Sequence, residues 1–115
     1  MGGVEAGTLY GTLNLLVMQA LREGPMHGLG VIRKLEQGTR STLKIEEGAL
    51  YPALHRLERD GLIEGQWGKS EKKRRAKFYR LTRKGRRHLD REVARWAQHA
   101  EAVASVLGLA PNWAE

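Results

Sequence analysis

The stretch EEGALYPALHRLERDG, which covers Glu46 to Gly61, decides the fold. Leu50, Leu54 and Leu57 recur at the spacing of one helical face, and Gly61 follows where a helix C-cap is expected. This pattern predicts an amphipathic helix that begins near Gly48. Pro52 lies inside the pattern, although a proline in a helix interior removes a backbone hydrogen bond. The presence of Pro52 in this helix therefore requires an explanation.

The face of this helix that points away from the leucines suggests a reason. It carries Gly48, Pro52, His55 and Arg59, with Tyr51 and Arg56 beside it. The second helix of a helix-turn-helix presents its N-terminal half to the major groove of DNA. Near the helix start, Pro52 would lie at the edge of the turn whose N–H groups have no helical partner, and it would keep the outer face thin. The alternative is that Pro52 only marks where the helix begins, and both explanations can hold together.

Charge is concentrated in one part of the chain. The 115 residues carry a net charge of +7, whereas the segment from Lys69 to Arg91 alone holds twelve basic and two acidic residues, a net charge of +10. The remainder is slightly acidic. A focused basic patch favours a polyanionic partner over charge that only keeps the protein soluble. We therefore expect double-stranded DNA as the partner.

Composition indicates one globular domain in the cytoplasm. The hydrophobic content of 41% and charged content of 29% are those of a folded soluble protein. No apolar run approaches the ~20 residues that cross a membrane, and the N-terminus lacks the pattern of a secretory signal. The absence of cysteine excludes disulfides and cysteine-ligated metal sites, and it agrees with a reducing compartment.

Two helices are predicted before the opening stretch. The first has Thr8 as its N-cap and an apolar stripe made of Leu9, Leu13, Leu16 and Ala20. Leu15, Met18 and Leu21 extend its apolar surface to a second side, so we expect a second chain to help cover it. The segment EGPMHG ends this helix. The second helix is predicted over 28–37, with Leu29, Ile32 and Leu35 facing inward.

After Gly61 the pattern changes to that of a β-hairpin. The segments LIEGQW (62–67) and AKFYRL (76–81) are rich in β-branched and aromatic residues, and GKSEKKRR between them predicts a long charged tip. Basic side chains on such a tip suit phosphate contacts or insertion into a minor groove. The candidate DNA contacts here are Lys72, Lys73, Arg74 and Arg75. A solvated edge loop is the alternative, and the position directly after a helix-turn-helix favours DNA.

The last predicted helix begins after Thr82 and extends to about Leu107. Its apolar residues follow 4-3-4-3-4 spacing, a seam typical of paired helices: Leu89, Val93, Trp96, Ala100, Val103 and Leu107. About 25 residues make a helix ~37 Å long, which exceeds so small a domain. We therefore expect the seam to form a homodimer, although packing on its own domain is the alternative.

Trp96 lies in the middle of this seam, where paired helices prefer leucine or isoleucine. Its seam neighbours Val93 and Ala100 are small, so two indole rings facing them need not pack without gaps. Such a gap would suit a flat aromatic ligand. We expect Trp96 to line a site for a small aromatic effector, with simple filling of the interface as the alternative.

The segments GTLNLLVMQAL, GPMHGLGVIRKLE, EEGALYPALHRLERDGLIEGQWG and RRAKFYRLTRKGRRHL resemble, in this order, the PadR family of bacterial transcriptional regulators. The pairing of LYPALHRLE with RRAKFYRLT is more specific than a helix-turn-helix pattern alone. The resemblance implies a homodimeric repressor of the smaller subfamily, with one C-terminal dimerisation helix and release from its operator by a small ligand. It also implies that Tyr51 to Arg59 enter the major groove and that Lys72 to Lys77 lie near the DNA backbone.

The sequence thus predicts a mainly α fold with a small β-hairpin. A winged helix-turn-helix is expected over 8–82, a dimerisation helix over 83–108 and a tail over 109–115. We expect no enzyme, cofactor or metal, because the four histidines lie in separate segments and no catalytic or phosphate-loop motif is present. A basic RNA-binding or nucleoid-type structural protein is the main alternative, although such proteins usually carry more stacking aromatics. A winged helix that binds a protein partner is disfavoured by the charge patch.

Overall fold

A computed structural model describes residues 12–109 of the chain. The elements follow one another as α1 (Leu13–Leu21), β1 (Met26–His27), α2 (Gly28–Gly38), α3 (Glu47–Arg59), β2 (Ile63–Lys69), β3 (Arg75–Leu81) and α4 (Arg83–Leu107). Across residues 12–109, four helices and one antiparallel sheet confirm the predicted mainly α winged-helix fold. Thr8 and residues 110–115 lie outside the described range. Within that range no helix is both long and apolar enough to cross a membrane.

The sheet has three strands in the order β1-β3-β2, so the two-residue strand β1 adds to the predicted hairpin. In β1, Met26 pairs with Tyr79 of β3. The hairpin strands are longer than expected, and Lys69 pairs with Arg75. The predicted long tip is therefore wrong, because the connection is only residues 70–74, closed by a hydrogen bond from the Ser70 N–H to the Arg74 carbonyl.

The core lies where α1, α2, α3 and the start of α4 meet the sheet. Its largest fully buried side chains are Leu13, Val17, Met18, Leu21, Val31, Leu50, Leu54, Ile63 and Leu89. The expectation that a second chain helps cover α1 is therefore wrong for Met18 and Leu21, which are 2% and 1% exposed within their own chain. Helix α4 returns to pack on α1 and supplies the second cover.

Helix α2 differs from its prediction in its buried face. Gly28, Val31 and Leu35 face the core, whereas Leu29 is 42% exposed. Positions 28, 31 and 35 form one stripe at helical spacing, and Leu29 is turned away from it by about 100°. The prediction that Leu29 faces inward is therefore wrong.

Helix α3 begins one residue earlier than predicted, with Glu46 as its N-cap. The Leu50 N–H already donates to the Glu46 carbonyl at 3.0 Å, so Pro52 lies beyond the unpaired first turn. The explanation that Pro52 removes an N–H that would have no partner is therefore wrong. Pro52 instead deprives the Gly48 carbonyl of its usual donor, and both residues are exposed on the outer face.

Helix α4 is anchored to the domain at its N-terminal end. The Thr82 hydroxyl accepts the Gly85 N–H at 2.9 Å, which confirms Thr82 as the N-cap. Gly85 packs so tightly on the sheet that a Cβ atom there would overlap the Leu62 carbonyl. Leu89 is 0% exposed and belongs to the core of its own chain. The prediction that it is part of an intermolecular seam is therefore corrected.

Candidate nucleic-acid interface

The outer face of helix α3 is open to solvent over its whole length. Gly48, Pro52, His55 and Arg59 are all exposed, as their spacing predicts. A Cβ atom at Gly48 would meet no other atom of residues 12–109 within 4 Å, so none of these residues crowds the start of this face. Arg59 lies at the other end, where its Nε is 3.3 Å from the Asp60 carboxylate. The face presents the His55 imidazole and the Arg59 guanidinium. Gly48 and Pro52 add little bulk, so they leave the helix backbone close to the surface.

The two flanks of this face contact different neighbours. On one side, the Tyr51 ring lies against the start of α2, and a Cβ atom at Gly28 would be 2.7 Å from its hydroxyl. On the other side, Arg56 is half-buried and donates to the Asn14 side chain of α1 at 3.5 Å. Tyr51 is thus fixed beside the outer face at 43% exposure, whereas Arg56 is turned toward α1.

The wing, residues 63–81, carries its basic side chains at its exposed end. Lys72, Lys73, Arg74 and Arg75 are all exposed, and Lys73 adopts a positive φ of 59° in the turn. The Arg75 guanidinium stacks on the Trp67 ring, 4.5 Å from its centroid. Because Trp67 is itself 57% exposed, this pair forms a flat cationic and aromatic surface on the wing.

Lys77 is bonded across the interface between the wing and helix α3. Its ammonium donates to the Glu58 carboxylate at 2.9 Å, and both side chains are about 30% exposed. This hydrogen bond is the main reason that the pKa of Glu58 is lowered and the pKa of Lys77 is raised. In the folded chain the pKa of Glu58 lies below its ordinary value of 4.5. The stabilisation that the ionised Glu58 gives to the fold is therefore complete above pH 4.5, and it is lost as the pH falls through the lowered pKa.

A cleft of about 560 Å³ separates the Tyr51 flank of α3 from the wing. Its walls include Leu29 and Tyr51 on the helical side, and Trp67, Arg75 and Lys77 on the wing. The cleft lining includes five of the eleven predicted DNA-contact residues, namely Tyr51, Lys72, Arg74, Arg75 and Lys77.

The C-terminal part of the predicted seam is exposed on α4. Val93, Trp96 and Val103 are 42%, 43% and 41% exposed, and Leu107 is 65% exposed, whereas Ala100 is half-buried. Trp96 borders a groove of about 450 Å³ between α1 and α4, which Leu15, Met18 and His99 also line. The predicted ligand residue thus lies at a groove within one chain and beside the exposed seam.

Several residues of this surface are absent from the sequence prediction. Glu58 and Gly65 connect α3 to the wing, Gly28 makes room for Tyr51, and Trp67 stacks with Arg75. Glu58 is seven residues after Tyr51, which places both on the same flank of α3. That spacing was a usable signal for Glu58, whereas the glycines become meaningful only when the elements are packed together.

Comparison with known proteins gives a consistent result. The model of the PadR-like transcriptional regulator family matches residues 17–91. A PadR family transcriptional regulator from Eggerthella lenta is 34% identical, with 88% of this chain and 86% of that chain covered and a TM-score of 0.75. A PadR-like transcription factor from Bacteroides fragilis is 32% identical, with 88% and 95% covered and a TM-score of 0.71. A transcriptional regulator from Clostridium thermocellum shares the fold, with a TM-score of 0.79 at 24% identity over 87% of this chain and 97% of that chain.

Proposed function

Since the chain belongs to the PadR-like family of transcriptional regulators, we propose that it is a homodimeric repressor that binds a palindromic operator and responds to a small ligand. The observation that carries the proposal is the exposed outer face of α3 beside an exposed basic wing tip. A major-groove helix and a wing are the two elements that such a fold offers to a duplex. A regulator of this kind works on the chromosome, in the cytoplasm.

The proposal divides DNA contacts between these two elements. Tyr51, His55 and Arg59 on α3 contact base edges, with Gly48 and Pro52 allowing close approach. Lys72, Lys73, Arg74 and Arg75 on the wing contact phosphates, which supply affinity without sequence preference. Arg56 would contact the duplex only after leaving its bond to Asn14 of α1. Lys77 contributes chiefly through its bond to Glu58.

Dimerisation in this proposal uses the exposed part of α4. The seam consists of Val93, Trp96, Ala100, Val103 and Leu107, because Leu89 is already buried in its own chain. Pairing these side chains with those of a second copy removes apolar surface from water. A two-fold axis through the seam would present two α3 helices to a palindromic site.

The proposed effector is a small flat aromatic compound that binds beside Trp96. The groove between α1 and α4 supports this, since Leu15 and Met18 add apolar walls to the indole. Because the groove adjoins the dimer seam, a ligand there would change the spacing of the two α3 helices. It would lower operator affinity if it bound the DNA-free spacing more tightly.

Selection of duplexes from a random-sequence library, followed by binding titrations in 50 to 200 mM salt, tests the DNA-binding proposal. With about six to ten phosphate contacts per dimer, affinity should fall ~10³-fold or more over this range. Alanine at Lys72, Lys73, Arg74 and Arg75 should weaken binding to every duplex and flatten the salt dependence.

His55→Ala should change the preferred sequence, whereas the control His99→Ala on α4 should not. Equal binding to all duplexes, or stronger binding to single-stranded RNA, would instead support the nucleoid or RNA-binding alternative.

The effector proposal needs a separate titration. Trp67→Phe together with Trp113→Phe leaves Trp96 as the single indole, whose fluorescence reports on planar aromatic compounds added one at a time. A compound that quenches Trp96 and lowers operator affinity supports the proposal. Quenching that leaves operator affinity unchanged, or no quenching by any compound, would show that Trp96 only packs.

A further inference from the structure

The flank of α3 that faces the wing carries one carboxylate with two donors. Glu58 Oε1 accepts from the Lys77 ammonium at 2.9 Å, and Oε2 accepts from the Gly65 N–H at 3.1 Å. Gly65 belongs to β2 and Lys77 to β3, so a single side chain of α3 is bonded to both strands of the hairpin. Both donors lie well inside the hairpin, away from its basic tip.

Gly65 is the position that makes this arrangement fit. It is opposite Tyr79 in the hairpin, and the next pair on the same face of the sheet is Trp67 with Lys77. The Lys77 stem crosses directly over Gly65, because a Cβ atom there would overlap Lys77 Cε and would be 3.1 Å from Glu58 Oε2. A Cβ atom at position 65 would therefore require the Lys77 side chain to shift from this path.

Strand order explains why the bond from Gly65 matters. In the part of the chain that the structure describes, strand β2 is at the edge of the sheet and pairs only with β3. An edge strand directs alternate N–H groups away from the sheet, where they need another partner. The Leu62 carbonyl accepts from the Thr82 N–H, so it points toward the end of β3. Because backbone groups alternate in direction along a strand, the Gly65 N–H, three residues later, points away from β3 and toward α3. Glu58 is the acceptor on that side.

Glu58 differs from the other carboxylates near the wing in its environment. The Glu58–Lys77 pair is about 30% exposed on both sides, whereas Glu64 and Arg80 form a pair that is 51% and 64% exposed. Exposed pairs contribute little, while hydrogen bonds to a partly shielded charge are stronger. The lowered pKa of Glu58 agrees with an ionised carboxylate that is held by its two donors.

We propose that Glu58 is a positioning residue that holds the wing at one angle to helix α3, so that both elements meet the same duplex without reorganisation. This inference rests on the proposed function, because the wing and α3 are its two DNA-contacting elements. Without the carboxylate, the wing would have to be ordered during binding, and that ordering lowers affinity.

Glu58→Gln is the main test, and Glu64→Gln is its matched control. Both changes remove one negative charge from the same region, so their direct electrostatic effect on DNA binding is similar. A glutamine at position 58 cannot accept from both donors with a full charge. We expect Glu58→Gln to bind the selected duplex about tenfold more weakly than Glu64→Gln, which is the scale of one charge-assisted hydrogen bond.

A second pair of variants leaves all charges in place. Gly65→Ala should displace Lys77 from Glu58 and weaken duplex binding in the same direction. Its control is Gly68→Ala on the same strand, where an added Cβ atom would be 3.3 Å from Phe78 Cδ1 and requires only a small shift. If Glu58→Gln does not fold, this pair decides the question.

Two readouts separate positioning from general stabilisation. Hydrogen exchange of the Gly65 amide in the DNA-free protein should accelerate in Glu58→Gln and stay slow in Glu64→Gln. In addition, Lys72→Ala with Lys73→Ala should cost less affinity in the Glu58→Gln background than in the wild type, because a loosened wing contributes less. If Glu58 only stabilised the fold, Lys72→Ala with Lys73→Ala would cost the same affinity in the Glu58→Gln background as in the wild type.

The outcomes are distinguishable from those of the proposed function. Equal duplex affinity for Glu58→Gln and Glu64→Gln, or unchanged Gly65 exchange, would overturn the positioning role while leaving DNA binding intact. A wild-type protein that binds no duplex would overturn the proposed function and the positioning role on DNA together, whatever the exchange result.

Discussion

The two halves of helix α4 carry the same apolar spacing but have different surroundings. At the N-terminal end, Gly85 packs against the Leu62 carbonyl and Leu89 is fully buried. From Val93 onward, the same seam is exposed except at the half-buried Ala100, and Leu107 is 65% accessible. One continuous helix therefore belongs to its own core at one end and offers an apolar face at the other. The difference teaches that spacing alone identifies an apolar stripe without identifying what covers it.

The largest expected effect follows from placing charge on the exposed half. Val93→Asp together with Val103→Asp should raise the dimer dissociation constant ~1,000-fold or more, since several uncompensated charges would be buried at the seam. Sedimentation at micromolar concentration measures the change. Gln98→Asp with Ser105→Asp, on the opposite face of α4, is the control and should leave the dimer intact. A wild-type protein that sediments as a stable monomer would remove the seam from the proposal.

A smaller effect tests whether the N-terminal half belongs to the core. Leu89→Ala should lower the free energy of unfolding by about 2 to 5 kcal/mol, through lost burial and the cavity left behind. Leu107→Ala makes the same chemical change on the exposed half, and in a monomeric background it should cost less than about 1 kcal/mol. Chemical denaturation of both variants gives the comparison. Equal losses would mean that the two halves do not differ in the way described.

The smallest expected effect concerns the ion pair at the boundary between the halves. Arg22 at the end of α1 is 2.9 Å from Asp90 on α4, but the Asp90 side chain is 66% exposed. Asp90→Asn should therefore cost no more than about 0.5 kcal/mol, and salt should remove the difference. Glu101→Gln, another charge removal on α4, is the control. A loss above about 2 kcal/mol would show that the pair, rather than Leu89, anchors the helix.

Sequence patterns predicted the elements well because each is set by local rules. The structure confirmed helix α3, which the Leu50, Leu54 and Leu57 stripe predicted. It also confirmed Thr82 as the start of α4, through the bond from the Gly85 N–H to the Thr82 hydroxyl. The outer face of α3 was also predictable, since an amphipathic helix places its polar residues opposite the buried stripe. By contrast, strand β1 has only two residues and depends on pairing with β3, so it leaves no local pattern.

The sequence by itself determined the helices, the hairpin and the concentration of positive charge between Lys69 and Arg91. Only the tertiary structure decided that Leu89 belongs to the core, that Leu29 is exposed and that Arg56 turns toward Asn14. It also decided that Lys77 is bonded to Glu58 above Gly65. The physical reason is that periodicity and charge are properties of neighbours along the chain. Burial, hydrogen-bond partners and the fit of a glycine depend on which distant segment packs against a residue.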